Sequence, residues 1–277
     1  GVYAANSGNN TYLDKLFKQV KFVSNIDIFY TVYNHLFEFY MDEDIPNDIN
    51  HPIEIVLSLF KNETESLYPS KFLLFQTSNF IAIHKSLWAS YLAEKFLSIA
   101  HEQKHITNEH FAIYLKSANL YANLLSINGE TRKSIAVLED ANDAINDMKD
   151  KYVNLLGYAN VRYNLAVHHN TMKNYDKSIS YYFHAIEDYE TLYELEPDSF
   201  DVIYHLSLAL TAIAIVYQRE NPDLAFTYLK RSKDVILNFN DSKRSVLQLA
   251  LLHTEDVITE CKSIKDETYN PIDDWIK

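Results

Sequence analysis

The sequence predicts an all-α chain, a right-handed solenoid of helical hairpins of the tetratricopeptide type with long helices, and three observations predict it. The first is composition: four Gly and six Pro in 277 residues, against 47% hydrophobic residues and 21 Tyr, leave few tight turns and almost no linker. The second is local. Residues 159–189, ANVRYNLAVHHNTMKNYDKSISYYFHAIEDY, read as two amphipathic helices around a polar turn from Asn170 to Asp176. Leu165, Ala166 and His169 share a stripe of the first helix, and Ile179, Tyr182, Phe183 and Ile186 one of the second. Ala166, Ser178 and Ala185 fall where closely packed hairpins need short side chains. The third observation is repetition. Ala122, Ser134, Leu138 and Ala141 precede Ala166, Ser178, Tyr182 and Ala185 by 44 residues each, with Gly129 in the turn. Ala214, Ala225, Leu229 and Ser232 repeat the pattern downstream, and Ala82, Ala93, Leu97 and Ala100 more loosely upstream. The spacing exceeds the roughly 34 residues of a standard unit, so the helices should run longer.

Taken in order, residues 1–10 (GVYAANSGNN) read as a disordered leader or an expression remnant, with a signal-peptide tail or a fused peptide as alternatives. Residues 11–68 form an N-terminal helical segment. Leu13, Leu16, Phe17 and Val20 have helical spacing, as do Phe29, Val32, Tyr33, Leu36, Phe37 and Tyr40 after a Ser24-Asn25 cap. An acidic loop from Asp42 to Asn50 follows, and His51-Pro52 opens a short helix carrying Ile55, Val56, Leu59 and Phe60. Four hairpins then occupy residues 69–240, punctuated at Tyr68-Pro69, Ile106-Thr107-Asn108, Glu196-Pro197-Asp198 and Asn221-Pro222-Asp223. Residues 241–277 close the stack with a capping helix over about Ser242 to Ile264 and a tail, Tyr269 to Trp275, folded back by its aromatic residues.

A net charge of -13 argues against a nucleic-acid surface, which needs a basic stripe to displace counterions. The first 68 residues hold only Lys15, Lys18, Lys21 and Lys61 against ten acidic residues, so no basic recognition helix is hidden there. The lone Cys261 excludes an internal disulfide, reads as buried and inert, and fits a reducing, cytoplasmic compartment. No uninterrupted apolar run reaches the roughly 18 residues of a membrane span, and no membrane partner is expected.

In stacked hairpins the first helix of each pair lines the concave wall, and there Asn recurs. Asn119 and Asn123 form one i, i+4 pair, Asn160 and Asn164 another 41 residues later, and Asn79 holds the corresponding place upstream. Asn donates to a carbonyl and accepts from an N–H at once, so a ladder of Asn suits the main chain of an extended peptide. The competing explanation is a chance excess of solvated Asn, against which stands the poor fit of Asn to helix interiors. Lys116 and Tyr163 lie near the same wall. Lys116 could meet a peptide carboxylate and Tyr163 supply a flat apolar contact, or the two could be a solvated Lys and a packed Tyr.

Residues 127–145 and 158–187 resemble the peptide-binding repeat domain of the Rap, Rgg, NprR, PlcR and PrgX family of bacterial cytoplasmic pheromone receptors. The likeness is strongest to PlcR-type members, in Val161-Arg162-Tyr163-Asn164-Leu165-Ala166 followed by Tyr175-Asp176-Lys177-Ser178. The resemblance implies a quorum-sensing receptor of a short signalling peptide, whose backbone Asn164 would hold, with transcription or partner binding as the regulated output. Members that regulate transcription begin with a helix-turn-helix of about 65 residues, which this acidic N-terminus does not resemble. Either such a domain was removed or the chain acts on a regulatory protein partner, with a homodimer as a further possibility.

One rival signal is His101-Glu102-Gln103-Lys104-His105, formally H-E-x-x-H, in which two His at i, i+4 could share zinc with Glu as general base. It sits at a helix end, Gln103 and Lys104 suggest a solvated surface, and Glu109 or His110 lies across a turn rather than on a following helix. His168-His169 diverges by about 100° around a helix and ligates one metal poorly. The expectation is therefore a binding protein without enzymatic activity or cofactor, taking a short peptide at Asn79, Lys116, Asn119, Asn123, Asn160, Tyr163 and Asn164. The alternative is a generic tetratricopeptide scaffold for a folded partner, gripped on its outer or end surfaces.

Overall fold

A computed structural model describes Thr77 and residues 86–148, 154–218, 220–239 and 244–268. The expectations for residues 1–68, for Asn79 and Ala82 and for the tail after Thr268 fall outside the described residues. Helices account for every element described: α1 (Ser86–Gln103), α2 (Asn108–Ile127), α3 (Thr131–Asn146), α4 (Leu155–Thr171), α5 (Tyr175–Leu195), α6 (Phe200–Tyr217), α7 (Pro222–Asn238) and α8 (Arg244–Thr268). The chain divides into two compact units, residues 1–106 and 107–277.

In the first unit, α1 buries Ala89, Leu92, Ala93, Phe96 and Ala100, the stripe of a helix packed on one side. It ends at Gln103, and the chain turns through Lys104 to Ile106, whose N–H meets the Gln103 carbonyl at 3.0 Å.

The second unit is a stack of helical hairpins, α2/α3, α4/α5 and α6/α7, followed by α8. Each even-numbered helix packs on the next, α2 on α4, α4 on α6 and α6 on α8. Each odd helix packs on the two even helices that flank it in sequence. The repeat register explains this layering. Ala122, Ala166 and Ala214, with Ser134, Ser178 and Ala225 opposite them, are all fully buried, as are Ala141, Ala185 and Ser232 two turns further along. A longer side chain at any of these sites would hold the helices apart. The Ser178 hydroxyl donates to the Ala166 carbonyl at 2.8 Å across the hairpin. Between neighbouring even helices the small residue is Gly157: a Cβ there would lie 2.9 Å from Leu115 Cδ1.

The turns follow the same register. Gly129 and Lys173, 44 residues apart, both take left-handed φ, 83° and 61°. In each turn a six-residue backbone bond closes the helix end, Glu130 N–H to Leu125 O at 2.8 Å and Asn174 N–H to His169 O at 2.9 Å. Starts are equally local. Thr107 caps α2 by accepting from His110 N–H, and Asn221 caps α7 by accepting from Leu224 N–H at 3.1 Å with Pro222 in the first turn.

α8, described from Arg244, runs four residues further than the sequence suggested, and it packs on α6 and α7. A buried hydroxyl cluster joins the three: Thr211 on α6 lies 3.0 Å from Ser232 on α7 and 3.1 Å from Thr254 on α8. α6 departs from the sequence reading. Among the described residues it alone is long and apolar enough, by length and composition, to cross a membrane, although Asp201, His205 and Ser207 interrupt its apolar run. Ile203, Leu206, Leu210 and Ile213 are buried in the stack, the placement of a core helix.

Candidate functional site

The orientation of α4 defines the site. One side of it faces the odd helices. There the Arg162 guanidinium meets the Asp188 carboxylate of α5 at 2.5 Å and reaches Asn142 of α3 at 3.5 Å. His169, on the same side, stacks on Tyr181 of α5, ring centroids 5.6 Å apart, with Glu139 of α3 at 3.8 Å. At about 100° per residue the opposite side presents Gly157, Asn160, Asn164, Val167 and Thr171, none of which is buried.

Of the expected site residues, the structure brings Asn119 and Asn164 together. Asn164 Nδ2 donates to Asn119 Oδ1 at 2.9 Å, linking α2 to α4, a contact that does not use the Asn164 carbonyl or the Asn119 amino group. Asn160 differs: its Oδ1 accepts from the Tyr189 hydroxyl of α5 at 2.6 Å, so it presents its amino group alone. Asn123 and Lys116 are exposed on α2. Tyr163 is turned toward α5, edge-on to Tyr182 with centroids 5.8 Å apart, and burial, with Tyr204 nearby, pushes its hydroxyl pKa up.

The repeat register extends this face to helices the Asn pattern did not single out. Among the described residues, the positions equivalent to those on α4 are Ile113, Leu120 and Ile127 on α2, beside Lys116 and Asn123, and His205, Leu208, Ala212 and Ile215 on α6; Arg219, the equivalent of Thr171, falls outside the described residues. None of the described ones is buried; Ile127 is 76% and Ile215 39% exposed. His205 donates from Nδ1 to the Asp201 carbonyl at 2.7 Å and stacks on Tyr189, so the same tyrosine ties Asn160 to the α6 part of the face. The 48-residue offset from Ala166 to Ala214 could have revealed these positions, but apolar residues on α6 read as core.

The other sequence signals take different places. α1 ends at Gln103, so His105 lies in the turn beyond it and does not share a helical face with His101. Lys104 Nζ donates to His101 Nε2 at 2.8 Å, and Gln103, expected in solvent, is buried. Among the described residues no group of three or more His, Cys, Asp or Glu side chains could hold a metal ion. His168 and His169 are both buried, and burial lowers the pKa of each. The neighbouring His169 adds to the effect on His168; Lys177 adds to that on His169, against Glu139. Neither ring nitrogen of His168 has a hydrogen-bond partner. Cys261 is a buried free thiol whose pKa burial raises.

No protein-family model matches the sequence, and no curated protein matches it. Solved structures do. A kinesin light chain from Podosopora anserina with nearly identical tetratricopeptide-like repeats matches at TM-score 0.50 and 12% identity, over 72% of this chain and 96% of its own. A single-residue variant of that protein matches at TM-score 0.51 and 13% identity, over 72% and 95%. BtubC (BKLC) from P. vanneervenii matches at TM-score 0.48 and 15% identity, over 80% and 83%. At such identities the likeness is one of fold: the chain is built of tetratricopeptide-like repeats. It does not speak to the pheromone-receptor family.

Proposed function

We propose that this chain is a protein-interaction scaffold that holds a polypeptide partner against the face of its even-numbered helices. The observation that carries the reading is that face itself: register-equivalent side chains on α2, α4 and α6, none of them buried. A stack of hairpins offers such a surface over several repeats, and a partner that spans them gains from each. Amides and apolar groups line the face where an enzyme would need poised acid, base or nucleophile, so we assign binding and not catalysis.

The Asn119–Asn164 contact favours a finer version, in which the partner is a short linear signalling peptide, as in the receptor family that residues 127–145 and 158–187 resemble. An amide carbonyl and an amide amino group remain side by side on neighbouring hairpins, the pair that a peptide unit requires. A peptide bridging the hairpins would favour one curvature of the stack and so alter a dimer or partner surface, a regulatory output in the cytoplasm.

The test places a benzophenone amino acid at Asn164 on the even-helix face or at exposed Lys230 on α7, in cells that make the partner. Cross-linking from position 164 and not 230 is expected, and the added mass separates a peptide from a folded protein. Cross-links from 230 alone would transfer binding to the odd-helix surface and refute the proposal.

A further inference from the structure

We infer that the turn edge of the stack, where α4 passes into α5 and α6 into α7, is a second docking surface. It fits a partner α-helix that sets a basic side chain in one hollow and an apolar side chain, seven residues away, in the next. This edge is separate from the even-helix face and does not depend on it. Recurrence carries the inference. A hollow of about 470 Å³ is lined by Tyr175, Asp176 and Ile179 in the first turns of α5 and by Glu220 beyond the end of α6. A second, of about 220 Å³, is lined by Pro222, Asp223 and Phe226 in the first turns of α7 and by Cys261 and Lys262 on α8. Pro222, Asp223 and Phe226 stand 47 residues after Tyr175, Asp176 and Ile179, the offset that also carries Ser178 to Ala225 and Ala185 to Ser232. Cys261 follows Glu220 by 41, the offset that carries the buried Leu206, Ala209 and Ile213 to the buried Leu247, Ala250 and Thr254. The same concavity therefore forms twice, between the start of an odd helix and the end of the next even one. The backbone repeat makes the hollows, and their lining is the chemical signal. Tyr175 is 46% and Phe226 41% exposed, aromatic groups left in water at helix starts, where short polar residues are the usual occupants.

The two hollows differ in chemistry. The second is floored by Phe226 and the buried Cys261, and its volume falls below the roughly 300–1,000 Å³ of small-molecule sites, so it suits one inserted apolar side chain. The first is larger and charged. Its Lys177 is engaged by Glu139 of α3 at 3.7 Å, which leaves Asp176 and Glu220 against Lys173; Arg219, beside Glu220, falls outside the described residues. Asp176 is offset by the half-positive start of α5, whereas Glu220 adds to the half-negative end of α6, so a cation is drawn to the Glu220 side. The net charge of -13 steers basic partners to the chain in the same sense. Spacing selects the partner's conformation. Helices in contact lie about 8–10 Å apart, so hollows one repeat apart are about 10 Å apart. Seven residues of α-helix rise about 10.5 Å and return to within about 20° of the same face. Three residues of a strand span about 10 Å but turn the side chain to the opposite face.

The experiment selects phage-displayed helical miniproteins, randomised on one face, against the immobilised 277-residue chain. The selected helices should carry Arg or Lys and, seven positions away, Leu, Met or Phe. Their binding, measured by fluorescence polarisation, should weaken several-fold from low to high salt. It should fall at least about tenfold with Glu220→Lys, which meets the basic side chain with like charge, and with Phe226→Asp, which sets a carboxylate against the apolar one. It should stay within about twofold with Asn164→Ala and with Ile215→Asp on the even-helix face. Glu220 and Phe226 are both exposed, so circular dichroism of their variants should match the parent chain. Selected helices that lack the basic and apolar pair, or that bind Glu220→Lys and Phe226→Asp as tightly as the parent, would overturn the inference. So would binding lost with Ile215→Asp, which would place the helix on the even face, or the selection of no helix at all. Cross-links from position 164 read the even-helix face independently, so either surface can fail without the other.

Discussion

Two serines 44 residues apart test the packing with opposite signs. Ser134 on α3 and Ser178 on α5 hold equivalent repeat positions, and both are fully buried. The Ser178 hydroxyl donates to the Ala166 carbonyl at 2.8 Å, whereas Ser134 Oγ is buried without a partner. Removing a satisfied buried hydroxyl costs about 1 kcal/mol, and relieving an unsatisfied one returns about 1 kcal/mol, the lower end of its desolvation penalty. Ser178→Ala should therefore lower stability, Ser134→Ala raise it, and the two variants differ by about 2 kcal/mol. Both substitutions delete one oxygen and favour the helix slightly, so propensity and denatured-state effects nearly cancel in the difference. Urea unfolding followed by circular dichroism at 222 nm reads it as a separation of midpoints at constant slope. Equal destabilisation by both would show that Ser134 has a partner, and the register-equivalent sites would then be alike in chemistry as well as in place.

Three further outcomes follow from the same structure. Lys173 takes the left-handed conformation that Gly129 takes one repeat earlier, so Lys173→Gly should stabilise the chain by about 0.5–1 kcal/mol in the same urea assay, the left-handed penalty less the added freedom of the unfolded chain. Arg162→Ala leaves the Asp188 carboxylate, only 12% exposed and already raised in pKa by burial against the pull of Arg162, without its counter-charge; a loss of about 3 kcal/mol is expected, partly recovered in Arg162→Ala/Asp188→Ala. His168 and His169 are held below the ordinary value of 6.5, so the folded chain keeps them neutral while the unfolded chain takes up protons. Their contribution is thus complete above about pH 6.5 and is lost as pH falls through their lowered folded values, with a slope of up to about 1.4 kcal/mol per pH unit for each. Urea midpoints from pH 8 to pH 5 should decline, less steeply in His168→Leu, and an unchanged slope in that variant would remove His168 from the account.

The repeat was legible because it is enforced by distance. Helices that approach closely admit only Ala, Ser and Gly at the crossing, so Ala166, Ser178 and Ala185 announce themselves by size, and the same spacing predicts Ala122 and Ala214. The Asn119–Asn164 contact could not be reached in the same way, since the 41-residue spacing of the Asn pairs departs from the 44-residue register, in which Leu120 and not Asn119 is equivalent to Asn164. Nor could what decides Asn160, because its partner Tyr189 lies on another helix and any buried Tyr might have supplied that hydroxyl. The H-E-x-x-H, set aside in the sequence for its place at a helix end, has a local reason to carry no metal: its spacing is a metal site only while the helix continues, and α1 stops at Gln103, before the Thr107 cap opens the next helix. α6 misled, since its apolar residues have one explanation in the sequence, a core, and two in the structure, a core and an open face.

That double use of α6 ties the fold to the function. Once Arg162, Ala166 and His169 are committed to the odd helices, the 3.6-residue period places Asn160, Asn164, Val167 and Thr171 on the other side of α4, where none is buried, although Asn160 still reaches Tyr189 of α5. Packing fixes where these positions are without fixing what occupies them. In water alone the cheapest occupants are charged or small polar residues, as on the exposed side of α3, where Arg132, Lys133, Asp140 and Asp143 stand. Among the described residues the even face instead has amides, small and apolar side chains, Thr171, His205 and Lys116. The docking surface proposed above uses those positions, and its amides would suit a partner's main chain as its apolar side chains would suit apolar contacts.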